Sequence, residues 1–143
     1  MFNFLNKNKR DTWSVYKLES STKNLIIRLD NSYKNNINKS EHPIKMGIAL
    51  KVQNQNKETE ELKYKIEDYL NDYFNKDEIG FLVAIITGMQ KDNMFIEFLS
   101  YVKKDSIDFS NFHEQLKKEF NLYDLQIYAD VEDDWETYKL LAK

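Results

Sequence analysis

The chain has 143 residues, a formal net charge of −3 and no cysteine. That length predicts a single domain, residues 1–143, which buries enough surface to fold without a disulfide or a structural metal. The missing thiols exclude cysteine nucleophiles and cysteine-based zinc sites, and they are typical of a reducing cytoplasm. No apolar run approaches the ~20 residues of a membrane-spanning helix. We therefore expect a cytoplasmic protein without membrane contact.

The first ten residues do not have the order of a secretory signal. Their apolar part is short, and the basic residues follow it instead of preceding it. We expect residues 1–10 to be a frayed N-terminus.

Charge is distributed unevenly along the chain. Residues 1–52 hold ten Lys and Arg against four Asp and Glu, whereas residues 53–143 hold eleven against twenty. Residues 124–136 contain six carboxylates and no basic residue. Such asymmetry indicates either a face for a basic partner or an acidic rim that meets only solvent.

The N-terminal third predicts strands. Trp13–Glu19 and residues 25–29 are rich in aromatic and β-branched residues, which predicts a hairpin within residues 11–30. Residues 30–41 are polar and predict a loop, which ends at Pro43 before the next strand. In Ile44–Val52, apolar residues alternate with small or charged ones, as in a half-buried strand.

Residues 58–75 predict a helix. Leu62, Ile66 and Leu70 recur at helical spacing and form one apolar stripe, and the first turn is rich in acids, which the helix dipole favours. Five charged side chains of this helix are expected to face water: Lys63, Lys65, Glu67, Asp68 and Asp72.

A strand pair, a second helix and a last strand follow. Residues 79–87 are apolar at both parities, so neither face of that strand is expected to be fully wet. Residues 88–93 predict a hairpin loop before a returning strand over residues 94–102. Residues 108–120 predict a helix with Phe112 and Leu116 on its apolar side, which ends at Asn121 in a left-handed conformation. Leu125–Val131 alternates as a strand.

The order of residues 43–131 is therefore βαββαβ. We predict an α+β fold, a ferredoxin-like two-layer sandwich with an added N-terminal hairpin and a C-terminal tail over residues 132–143. Residues 79–87 would be an edge strand in that order, and a long apolar edge left open invites aggregation. We expect the hairpin, the tail or a second subunit to cover it.

The chain resembles the uncharacterised bacterial family called domain of unknown function 695. The matching stretches are residues 11–16, 43–52, 60–62, 66–70, 87–88, 95–98 and 132–138. Residues 53–57 replace the Gly-rich, Pro-containing stretch that often precedes the first helix of this family. The resemblance implies no activity and no catalytic residues. The family is similar in fold and pattern to the acidic regulators of ribonuclease activity called family B, which bind and inhibit a nuclease.

Catalytic and metal-binding patterns are weak. His42 and His113 have no Ser or metal-ligand partner at diagnostic spacing, so we expect both to be structural or solvated. Residues 130–136 lack the mid-loop glycine and the ligand spacing of a calcium loop. With 24 Asp and Glu, carboxylate pairs are expected by chance. We predict no enzyme, no metal and no cofactor.

One predicted strand has a pattern that bears on RNA binding. Residues 93–98 superficially match the end of an RNA-binding consensus in which aromatic side chains stack on bases. The other stacking position is Asn93, the basic–glycine start is missing, and the acidic balance of residues 53–143 opposes phosphate binding. We expect no nucleic-acid partner.

The functional prediction rests on the acidic residues near the C-terminus. We predict that an exposed acidic patch with an aromatic anchor binds a basic protein partner, since rim acids speed association and a desolvated Trp slows dissociation. The candidate residues are Asp130, Glu132, Asp133, Asp134, Trp135 and Tyr138. The alternative is that the two aromatic residues pack back onto the core as a lid.

Two functions of different classes follow from the sequence. The first is a non-catalytic protein-binding module that regulates or inhibits a basic partner such as a nuclease. The alternative is a small carboxylate-based hydrolase or ligand-binding protein with a pocket between the sheet and the tail. A homo-oligomer fits either function.

Overall fold

A computed structural model describes residues 12–19, 24–35, 38–52, 56–90, 93–122 and 124–143. The fold is a mixed α+β arrangement with one six-stranded antiparallel sheet. The strands are β1 Trp13–Glu19, β2 Asn24–Asp30, β3 Ile44–Val52, β4 Gly80–Gln90, β5 Asn93–Val102 and β6 Leu125–Val131. The α-helices in the described residues are α1 Lys57–Lys76, α2 Phe109–Phe120 and α3 Glu136–Leu141. The predicted frayed N-terminus, residues 1–10, lies outside the described residues.

The strand order across the sheet is β1-β2-β4-β5-β3-β6. Each neighbouring pair is antiparallel. The N-terminal hairpin, β1 and β2, joins the sheet in its plane because β2 pairs with β4 along Asn24 to Leu29. The prediction that this apolar edge is covered is confirmed, and the hairpin is what covers it.

The helix α1 begins and packs as its sequence predicts. The Asn56 side chain caps it by accepting a hydrogen bond from the Thr59 amide at 2.9 Å. Its stripe buries Ile66, Leu70 and Phe74 against the sheet. Burial of such apolar area is the main term that holds a helix on a sheet.

The helix α2 lies beside α1 on the same face of the sheet. Asp108 caps its start through the Asn111 amide at 3.2 Å. Asn121 ends it in the left-handed conformation, φ 53°. Phe112 and Leu116 are buried, as predicted. The core on this face is built from both helices and from β3, β4, β5 and β6.

A second core lies on the opposite face of the sheet. It joins Ile27, Leu29, Val83, Leu99 and Tyr101 of the sheet to Trp135 and Tyr138 of the C-terminal segment. A β-bulge between Leu82 and Ala84 shifts the alternation of β4. Leu82 and Ile85 therefore pack under the helices, while Val83 and Ala84 pack under the C-terminal segment. The bulge therefore explains why apolar residues of β4 occupy both odd and even positions of the strand.

The hairpin loop between β4 and β5 is shorter than predicted. Residues 88–93 were expected to be loop, yet β4 runs through Gly88 to Gln90 and β5 starts at Asn93. Gly88 pairs with Phe95, whose ring occupies the space that a Cβ at Gly88 would need. This glycine provides room for a ring within a strand and does not make a turn.

Candidate functional site

Glu132 joins the C-terminal segment to the sheet. Its carboxylate accepts hydrogen bonds from the Tyr101 hydroxyl at 2.8 Å, the Thr137 amide at 2.9 Å and the Thr137 hydroxyl at 2.7 Å. The Lys45 ammonium lies 3.0 Å from it. The side chain is only 14% exposed. Glu132 therefore acts as a structural connector and is not part of an exposed patch.

The environment of Glu132 keeps its carboxylate charged. Burial raises its pKa, but the hydrogen bonds from Thr137, Lys45 and Tyr101 outweigh burial and lower the pKa from 4.5 to about 2. Burial and the hydrogen bond to Glu132 raise the pKa of Tyr101, so its hydroxyl keeps the proton that it donates. The pair is suited to holding two elements together.

Trp135 is not an exposed anchor, and that prediction was wrong. Its side chain is 0% exposed and stacks on Tyr101 with 4.2 Å between ring centroids. The indole N–H donates to the His42 carbonyl at 2.8 Å, and the Tyr138 hydroxyl donates to the Asp30 carbonyl at 2.6 Å. Tyr138 is 1% exposed, so it is no surface contact either. The reason is that the sheet face beneath them is apolar and needs cover.

The remaining predicted residues form an acidic rim. Asp130, Asp133 and Asp134 are exposed. Asp134 forms an ion pair with Lys139, and Asp130 lies 3.8 Å from the Lys45 ammonium. Opposite charges therefore partly neutralise the rim. Among the residues that the structure describes, no group of three or more His, Asp or Glu could hold a metal ion.

The two histidines lie in different places. His42 is buried with its ring 4.7 Å from that of Phe81, and burial together with the charge of Lys103 lowers its pKa. The His113 ring nitrogen Nε2 lies 2.8 Å from the Leu125 carbonyl. Each side chain thus has a local packing environment, and neither lies beside a nucleophile in these contacts.

The strand that resembles an RNA-binding consensus presents its aromatic residues to opposite faces. Phe98 is fully buried under the helices. Phe95 covers Gly88 on the other face, and Glu97 beside it accepts a hydrogen bond from Tyr128. The two phenylalanines therefore do not form one stacking platform.

A groove separates the N-terminal hairpin from α1, and we call it the hairpin–helix groove. Its volume is about 990 Å³. The register places Val15, Arg28 and Ile85 in one row across β1, β2 and β4 on the face that carries the helices. The helices pack over β4, β5, β3 and β6; on the same face of the hairpin, Trp13 reaches their core while Val15 stays exposed. The groove is the space beside α1 above the end of the hairpin that carries Trp13, Val15, Arg28 and Asp30.

Apolar side chains are exposed along this groove. Val15 on the floor is 63% exposed, and Tyr64 on the wall formed by α1 is 54% exposed. On the same face of the sheet but outside the groove lining, Ile26 lies in the next row, beside Lys17, and Met89 lies one row further; they are 37% and 41% exposed. Exposed apolar side chains that adjoin one another are typical of a binding surface.

One ion pair connects the floor of the groove to its wall. The Arg28 guanidinium donates to both carboxylate oxygens of Glu67, at 2.8 Å and 3.2 Å. It also lies over the Trp13 ring, 4.7 Å from the centroid. Glu67 was expected to face water, and that prediction was wrong, because the hairpin brings a guanidinium to it.

The wall of the groove is acidic. Asp68 and Asp72 are exposed on α1, four residues apart, and both line the groove. No ion pair within the described residues involves either of them. Carboxylates at this spacing repel each other, so a cation between them would be stabilising.

Two features of the sequence point to this groove, although neither identifies it alone. Tyr64 lies outside the apolar stripe of α1. Val15 follows Trp13 by two residues, so both lie on one face of β1. Each signal is ordinary alone, because single exposed apolar residues are common. The two residues come to line one groove only when the hairpin pairs with β4 and lies beside α1.

Comparisons with known proteins identify a family. The family model described as a family of unknown function (DUF695) matches residues 11–141. A search of the curated proteins gave no match. No helix in the described part of the chain is long and apolar enough to cross a membrane.

Proposed function

The chain belongs to the family of unknown function DUF695, and we propose that it is a non-catalytic protein-binding module that holds a basic segment of a partner protein in the hairpin–helix groove. The observation that carries this proposal is one surface that combines exposed Val15 and Tyr64 with the carboxylates of Asp68 and Asp72. The apolar side chains supply affinity through burial, and the carboxylates select a basic partner.

The charge of the groove supports a basic partner. Its described lining has four carboxylates, those of Asp30, Glu67, Asp68 and Asp72, and one guanidinium, that of Arg28. The Arg28–Glu67 pair neutralises itself, so negative charge dominates beside the apolar floor. A basic segment would therefore associate faster at low salt than at high salt.

Two finer assignments belong to this proposal. One is a ferredoxin-like topology for residues 43–131, which the strand order β4-β5-β3-β6 supports. The other is regulation or inhibition of a basic partner such as a nuclease in the cytoplasm, which the resemblance to the family B regulators supports. The alternative of a carboxylate-based hydrolase stays a prediction. Glu67 is a poor candidate base for it, because both its oxygens accept from Arg28.

A pair of matched variants tests the site. Asp68→Asn with Asp72→Asn removes two charges from the groove, and Asp133→Asn with Asp134→Asn removes two charges from the C-terminal rim. Each protein is used to isolate partners from the source cell at low and high salt. We expect the groove variant to lose basic partners that the rim variant and wild type retain.

The same comparison can reject the proposal. If the groove variant retains every partner and the rim variant loses them, the binding surface is the C-terminal rim. If both variants retain the partners, charge on neither surface selects them. Circular dichroism on both variants checks that the fold is intact.

A further inference from the structure

We propose that the hairpin–helix groove takes an amphipathic helix of the partner, which lies beside α1 and extends the helix layer over β1 and β2. This inference rests on the proposed function, and it adds the conformation and the charge pattern of the bound segment. The alternatives are an extended strand, a second copy of this chain, or a segment of this chain.

The width of the uncovered sheet matches one helix. Two strands, β1 and β2, lie at the edge of the sheet beyond β4, the strand that α1 contacts. Neighbouring strands lie about 4.8 Å apart, so two strands span about 10 Å. Packed helices have axes about 8–10 Å apart, and a helix with its side chains is about 10–12 Å wide. The space above the hairpin therefore continues the spacing of a helix layer.

The length of β1 sets the length of a helix that would lie along the whole hairpin. β1 has seven residues, which span about 23 Å at about 3.3 Å per residue. A helix rises about 1.5 Å per residue, so about 15 residues match the full length of β1, of which Trp13 and Val15 line the groove. Val15 on the floor and Tyr64 on the wall would contact the apolar stripe of that helix, which repeats every three or four residues.

The wall of the groove determines the charge pattern. Tyr64, Asp68 and Asp72 are spaced four residues apart, which places them in one row along α1. All three line the groove, so this row faces the uncovered strands. Two carboxylates one helical turn apart match Lys or Arg residues one turn apart on a neighbouring helix. The partner helix is thus apolar towards the hairpin and basic towards α1.

Three synthetic peptides of about 15 residues test the conformation and the charge. The first has a leucine stripe at helical spacing with lysines beside it. The second has glutamates in place of the lysines, and the third has two central prolines, which break a helix. Titration calorimetry against the full chain measures affinity, and circular dichroism measures helix gained on binding. We expect the first peptide to bind with gain of helix and at least tenfold more tightly than either other peptide.

Two substitutions on one strand localise the binding. Val15→Asp places a charge on the groove floor, whereas Leu18→Asp places the same charge on β1, at a 49% exposed residue of the opposite face. We expect Val15→Asp to weaken binding of the first peptide at least tenfold and Leu18→Asp to change it less than twofold. Equal effects of the two substitutions would overturn the inference.

The other occupants give different results. If the proline peptide binds as tightly as the first, the helix is refuted while the binding function stands. If sedimentation shows a dimer of the full chain that Val15→Asp dissociates, a second copy occupies the groove. If removal of residues 1–11 raises peptide affinity tenfold or more, the occupant is that segment of the chain. If no peptide binds but the Asp68 and Asp72 variant still loses its cellular partner, only this inference fails. The proposed function fails when that variant also retains every partner.

Discussion

Glu132→Gln should release the C-terminal segment from the sheet, with a cost that depends on pH. The pKa of Glu132 is lowered from 4.5 to about 2, and one pKa unit corresponds to about 1.4 kcal/mol. The whole shift corresponds to about 3 kcal/mol, and partial exposure to solvent reduces the part that stabilises the fold. We therefore expect Glu132→Gln to lower the free energy of unfolding by about 1–3 kcal/mol at pH 7.

The pH dependence of this loss follows from the direction of the shift. A carboxylate whose pKa is lowered on folding stabilises the protein above its unfolded pKa, and this contribution disappears as pH falls towards the folded value. The cost of Glu132→Gln should thus be constant from pH 7 to about 5 and smaller by about 1 kcal/mol near pH 3.5.

Urea denaturation monitored by tryptophan fluorescence measures both quantities. Asp133→Asn is the matched control, because it neutralises the exposed neighbour of Glu132 and should change the free energy of unfolding by less than about 0.5 kcal/mol. A cost below about 0.5 kcal/mol at pH 7 for Glu132→Gln, or one that does not change with pH, would show that Glu132 does not secure this segment.

Three further experiments test the packing. Ile66→Ala should lower the free energy of unfolding by about 2–5 kcal/mol in urea, as for a buried aliphatic side chain, and a change under about 0.5 kcal/mol would show that the α1 stripe is not packed as described. A double-mutant cycle on Arg28 and Glu67 should give a coupling of about 0.5–1.5 kcal/mol that weakens at high salt, and additive single effects would contradict the ion pair. Tyr138→Phe should cost about 1–2 kcal/mol in thermal denaturation because it leaves the buried Asp30 carbonyl without its donor, whereas an unchanged melting temperature would argue against that hydrogen bond.

The sequence by itself determined α1, α2 and most of the strands, whereas α3 lies in the segment predicted only as a C-terminal tail. Ile66, Leu70 and Phe74 on α1, and Phe112 and Leu116 on α2, follow helical spacing, and each helix has a capping side chain just before it. Periodicity and capping are local, because residues three or four positions apart meet on one face whatever the rest of the chain does. The predicted end of the strand before Gly88 was wrong because a local pattern cannot distinguish the two uses of glycine, a turn and a close contact across strands.

Only the tertiary structure decided which surface is available for binding. The sequence around Trp135, a Trp next to acidic residues, fits an exposed anchor and a buried lid equally well. Trp135 is a lid because it covers the apolar second face of the sheet. The hairpin–helix groove exists because the hairpin pairs in the plane of the sheet and lies beyond α1. Strand pairing joins residues far apart in the sequence, and its choice depends on the burial of all the layers together, which no local pattern contains.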